Sequence, residues 1–151
     1  VNLPFMRFLE VDLNFSLDYK NEKDTILRDM LAGISVKSEK GLSFPALNDT
    51  DFFIHLCAHL YKEATALPWI EMHRDMTLYK YCDIYLLLSE MTDAQLRRIF
   101  VRANKLGMTK ICAYAILETA ELFEMDIPLA RSICRTVLQD DPHFCLKVVS
   151  P

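Results

Sequence analysis

Two carboxylates, Glu10 and Asp12, stand two residues apart in RFLEVDLNFSL, residues 7–17. Clustered hard oxygen ligands of this kind hold Mg²⁺ in phosphoryl and nucleotidyl transfer, where the ion grips phosphate oxygens and offsets developing charge. The same pair is also what a solvent-facing strand edge carries, and a two-metal site needs a further carboxylate pair. His55 and His59 have the four-residue spacing at which two imidazoles on one helix share a Zn²⁺, with His73 or Cys57 as the third ligand to be found. The Glu that metalloprotease helices place between such histidines is missing. A structural reading competes: one His hydrogen-bonded inside a bundle, the other lining a groove. Asp83, flanked by Cys82, Ile84 and Tyr85, is expected to be partly buried and therefore to need a cation. Arg74 is the candidate, either as that partner or as a ligand for a substrate phosphate, and Lys62 and Glu63 carry the same choice.

The elements that must position these groups follow from periodicity. Residues 7–17 alternate strictly, with Phe8, Glu10, Asp12 and Asn14 on one side and Leu9, Val11, Leu13, Phe15 and Leu17 on the other, which predicts a strand. Glu22 to Leu31 reads as a short helix ending at Gly33, and 34–38 with 42–47 as a hairpin turning through Glu39, Lys40 and Gly41. From Asn48 onward the pattern is helical. Phe53, Leu56 and Leu60 form one apolar stripe and Ile84, Leu87, Leu88 and Met91 another, while Phe52, His55, His59 and Glu63 line up opposite the first. Pro68 breaks the first of these helices, and the second resumes near Met76. Asn48 with Asp51, and Thr92 with Gln95, look like helix caps; Asp126 is expected to cap a last helix with Pro128 in its first turn. The expected fold is mainly α (α+β): an antiparallel bundle of about five helices over 48–151, preceded over 1–47 by a strand, a short helix and a small β-hairpin.

Composition narrows the classes. The chain has 151 residues, 52% hydrophobic and 25% charged, an ordinary balance for one folded core, and three Gly with six Pro leave no linker tract. A formal charge of −4 argues against charge-driven nucleic-acid binding, and Arg97, Arg98, Arg102 and Lys105 read as the wet side of a helix. Five Cys without a C-x-x-C predict reduced, mostly buried thiols and a cytoplasmic location. No apolar run is long enough to span a bilayer, so no membrane partner is expected. Beginning at Val1, the chain is expected to be a portion of something longer.

The stretch FFIHLCAHLYKEA followed by LPWIEMHRDMTLYKYCDIYLLL resembles the carboxy-terminal helical part of an uncharacterised family of bacterial nucleotidyltransferases with a polymerase-beta-like catalytic domain. The positions that carry it are His59, Tyr61, Lys62, Arg74, Asp75 and Asp83. FLEVDLNF similarly resembles that family's last catalytic strand. The resemblance implies Glu10 as a metal-site carboxylate with Asp12 beside it, and His55, His59, Lys62, Arg74 and Asp83 as substrate-binding residues. It also implies Mg²⁺, a nucleoside triphosphate donor, a small-molecule or protein acceptor and an upstream catalytic domain. Such enzymes carry a Gly-Ser turn and an Asp-x-Asp pair ahead of that strand. Neither is expected here, since Gly33-Ile34-Ser35 has the wrong spacing and context. The chain is thus expected to be inactive alone. The alternative is a non-enzymatic module whose bundle presents an apolar groove to a protein partner, for which seven Met are suited.

Overall fold

The computed structural model describes residues 17, 25–73, 77–141 and 143–144. Their order is α1 (Thr25–Leu31), β1 (Ser35–Glu39), β2 (Leu42–Ala46), α2 (Asp49–Thr65), α3 (Leu67–Glu71), α4 (Leu78–Ser89), α5 (Asp93–Lys105), α6 (Thr109–Leu122) and α7 (Pro128–Leu138). This is the mainly helical bundle with a hairpin that the periodicity predicts. The strand expected over 7–17 lies outside the described residues, apart from the buried Leu17.

α2 is the central element because its apolar face meets three others: it packs on α4, α5 and α6, and α6 in turn packs on α7. Phe53, Ile54, Cys57 and Leu60 of α2, Ile84 of α4, Ile116 of α6 and Cys134 of α7 are all essentially inaccessible. Each large apolar side chain so enclosed contributes roughly 1.5–3 kcal/mol. Ala103, Ala113, Ala115 and Ala120 are equally buried, and their small size lets the helices approach closely.

The ends of the helices obey local rules. Asn48 Oδ1 accepts from the Asp51 N–H at 3.0 Å, opening α2. Thr92 and Gln95 form a full capping box at α5, the Thr92 N–H donating to Gln95 Oε1 at 2.8 Å and the Gln95 N–H to Thr92 Oγ1 at 3.3 Å. Gly107, at φ 69°, closes α5 with the Met108 N–H on the Ala103 carbonyl. Lys40 and Gly41, at φ 51° and 81°, make the two-residue turn between β1 and β2, which pair with Glu39 opposite Leu42.

Three local expectations are corrected. Among the described residues six helices rather than about five follow residue 48: Pro68 does not merely end a helix, since the chain leaves α2 at Ala66 (ψ 120°) and Pro68 then enters the first turn of α3. Asp126 does not cap α7. The cap position falls to Ile127, which contributes no side-chain bond, because Pro128 itself opens the helix and pushes its predecessor out of helical geometry. Arg102 is not on a purely wet face, as its contacts below show.

Candidate functional site

The line of polar residues along α2 is where the sequence placed it. His55, His59 and Glu63 follow one another at one-turn intervals; the two imidazole rings lie nearly parallel, at 16°, with centroids 6.3 Å apart. Glu63 is the pivot of this row. Its Oε1 stands 3.4 Å from His59 Nε2, and its Oε2 pairs with the Lys80 ammonium from the first turn of α4. The Lys80 side chain is only 5% exposed and that of Glu63 13%, so this is a largely dehydrated ion pair joining two helices. An ammonium taken from water at such depth costs several kcal/mol unless a carboxylate faces it. Burial accordingly pushes Lys80 below its ordinary pKa. Lys80 Nζ also lies 5.4 Å from the Tyr79 ring centroid.

Burial, and secondarily the Lys62 ammonium, holds His55 below its ordinary value of 6.5. His55 is therefore a neutral imidazole at neutral pH. A carboxylate at one nitrogen of His59 orients its ring and favours a proton on that nitrogen, which sets the role of the other. The arrangement can position and hydrogen-bond a polar ligand, and can hold or move a proton at His59.

A second polar cluster lies at the opposite end of α2. Asp51 is 1% exposed and is met by Arg102 of α5 through two bonds, Nε to Oδ1 at 2.7 Å and one terminal nitrogen to Oδ2 at 3.1 Å. The other terminal nitrogen reaches Asp29 at 2.6 Å, and Asn48 donates to Asp51 Oδ2 at 2.8 Å. The guanidinium thus fastens α1, α2 and α5 together, which is a structural task. Asp49-Thr50-Asp51 has Asp-x-Asp form, correcting the expectation that the chain lacks one. It is not a metal pair: Asp49 binds Lys37 and Asp51 is saturated by Arg102 and Asn48. Among the described residues no group of three or more His, Cys, Asp or Glu side chains is arranged to hold a metal. The described residues therefore do not fit a Mg²⁺ site.

Of the residues predicted from sequence, His55, His59 and Lys62 share α2, half-buried. Asp83 is exposed on α4, not partly buried as expected, because Tyr81, Ile84 and Leu88 occupy the inward face of that helix. Glu10, Asp12 and Arg74 lie outside the described residues. The third zinc ligand has no candidate in place: Cys57, two residues from His55, is fully buried on the far side of α2 against Cys112, and His73 is exposed beyond α3. Lys80 is the group that sequence alone did not single out as central. It stands 17 residues beyond Glu63, a separation at which only the packing of α4 on α2 decides the pairing.

The fold is a helical bundle that carries a carboxylate-anchored imidazole and ammonium on one side. Residues 4–124 match the profile of a protein family described as uncharacterised nucleotidyltransferase, more than half of the chain. The chain belongs to that family and is a nucleotidyltransferase-like protein. No curated protein and no solved structure matches it.

Proposed function

We propose that this chain is the carboxy-terminal, substrate-binding portion of a bacterial, cytoplasmic nucleotidyltransferase that moves a nucleotide from a nucleoside triphosphate to an acceptor. The observation that carries this reading is the extent of the family match, whose residues 4–124 take in Glu10 and Asp12 as well as His59, Glu63 and Lys80. His55, His59, Lys62, Arg74 and Asp83 orient the acceptor, and Glu63 with Lys80 holds His59 in place. Glu10, with Asp12 beside it, completes a Mg²⁺ site whose other ligands come from a catalytic domain encoded upstream. The 151 residues contain no Gly-Ser turn to cradle a triphosphate, so on this reading they do not transfer nucleotides alone.

Transfer of a labelled nucleotide by the polypeptide that includes the upstream residues tests this. Glu10→Gln is expected to lower the rate by about 100-fold or more, as for other residues that serve the reacting centre directly. An unchanged rate removes Glu10 from the mechanism.

The alternative of a non-enzymatic interaction module has one observation in its favour. Val36 and Leu42 on the hairpin are 73% and 71% exposed and Phe44 is 44% exposed, on a sheet of two strands among the described residues. On that reading Val36→Lys with Phe44→Lys releases a protein partner, and Glu10→Gln changes nothing.

A further inference from the structure

A cavity that carries both apolar and charged groups lies at the other end of α4 from Lys80. Its volume is about 620 Å³, and it opens between the α4–α5 turn and the α6–α7 loop. Tyr85, its aromatic floor on α4, is five residues past Lys80, roughly 7.5 Å along a helix axis, so the cavity is separate from the cluster at Glu63. Tyr85 packs on Phe123 with ring centroids 4.6 Å apart, and Leu88 and Leu96 extend the apolar wall.

Three carboxylates stand on the rim: Asp93, Glu124 and Asp126, all exposed. None takes part in an ion pair among the described residues. The cation built into this region, Arg131, is turned to backbone instead, its terminal nitrogen donating to the Ala120 carbonyl at 2.9 Å and to the Met125 carbonyl at 3.2 Å. Those bonds, with the Met125 N–H on the Ala120 carbonyl at 2.9 Å, fix the loop. They hold Glu124 at φ 51°, a conformation in which a non-glycine residue is strained. The loop is thus held in this conformation by its own hydrogen bonds, without a ligand.

We propose that this cavity binds a small organic cation, a primary ammonium or guanidinium group on an apolar body. The aromatic pair and aliphatic wall take the body, while the ring faces and the unpaired carboxylates take the charge. The volume falls within the range of small-molecule sites, which selects this occupant over a basic helix or a second copy of the chain. The proposal does not rest on the nucleotidyltransferase reading.

Calorimetric titration of the full chain with 4-phenylbutylammonium, 4-phenylbutanol and 4-phenylbutyrate tests it, since the three share one apolar body and differ in charge. The ammonium is expected to bind about tenfold tighter than the alcohol, and the carboxylate not measurably. Asp93→Asn with Glu124→Gln and Asp126→Asn is expected to bring the ammonium down to the affinity of the alcohol, and Phe123→Leu to weaken both. Should the triple variant melt early, Asp126→Asn alone is expected to reduce the preference. Equal affinity for all three probes, no binding of any at millimolar concentration, or an ammonium affinity untouched by these variants overturns the proposal. So does capture of a Lys-rich amphipathic peptide, or dimerisation through this face, in place of the small cation.

Discussion

Lys80 shows how one buried charge can organise a site. Its ammonium is satisfied by Glu63, and Glu63 in turn positions His59. Lys80→Ala leaves a carboxylate stranded between two helices and is expected to destabilise the chain by about 3 kcal/mol in urea unfolding, whereas Lys80→Met with Glu63→Leu removes both charges and recovers most of that loss. A double variant as unstable as the single one would show that packing, not charge pairing, decides this position. His55 makes a separate prediction. Burial and Lys62 lower its folded-state pKa below 6.5, so between that lowered value and 6.5 the unfolded chain binds more protons than the folded one. Stability from this group is complete above pH 6.5 and is lost as pH falls through that window. His55→Asn is expected to flatten the loss, measured as unfolding free energy from pH 7.5 to 5; an identical slope would contradict it.

At the scale of the element, the capping box at α5 and the Arg102 clamp are the local and the long-range versions of one requirement, that buried or terminal polar groups find partners. Thr92→Ala removes the acceptor of the Gln95 N–H and is expected to cost about 1 kcal/mol. Arg102→Ala leaves the Asp51 carboxylate buried without its cation and is expected to cost about 3 kcal/mol, again by urea unfolding. The first of these was legible in the sequence and the second was not, for a physical reason. Thr92 and Gln95 are three residues apart, as are Asn48 and Asp51, so local spacing specifies both caps. Asp51 and Arg102 are 51 residues apart, and no local pattern says which of the arginines on α5 turns inward. The row His55, His59, Glu63 was visible for the same reason as the caps. Its partner Lys80 was not, and the exposure of Asp83 likewise depends on the rotation of α4 against α2.

Taken whole, the molecule joins a helical bundle built on α2 to an exposed hairpin and carries the family match over both. A two-stranded sheet is marginal by itself, and here an exposed ion pair links Lys37 on β1 to Asp49 at the start of α2. On the proposed function, this bundle serves nucleotide transfer whose phosphate-binding groups are supplied from outside the 151 residues. It is tested most directly by comparing label transfer from a nucleoside triphosphate in Mg²⁺ by residues 1–151 and by the polypeptide extended through its upstream coding sequence. Transfer by the extended protein, lost in Glu10→Gln, and none by residues 1–151 is the expected result. Equal transfer by the two, or no transfer by the extended protein with any acceptor supplied from its own cell extract, would contradict it.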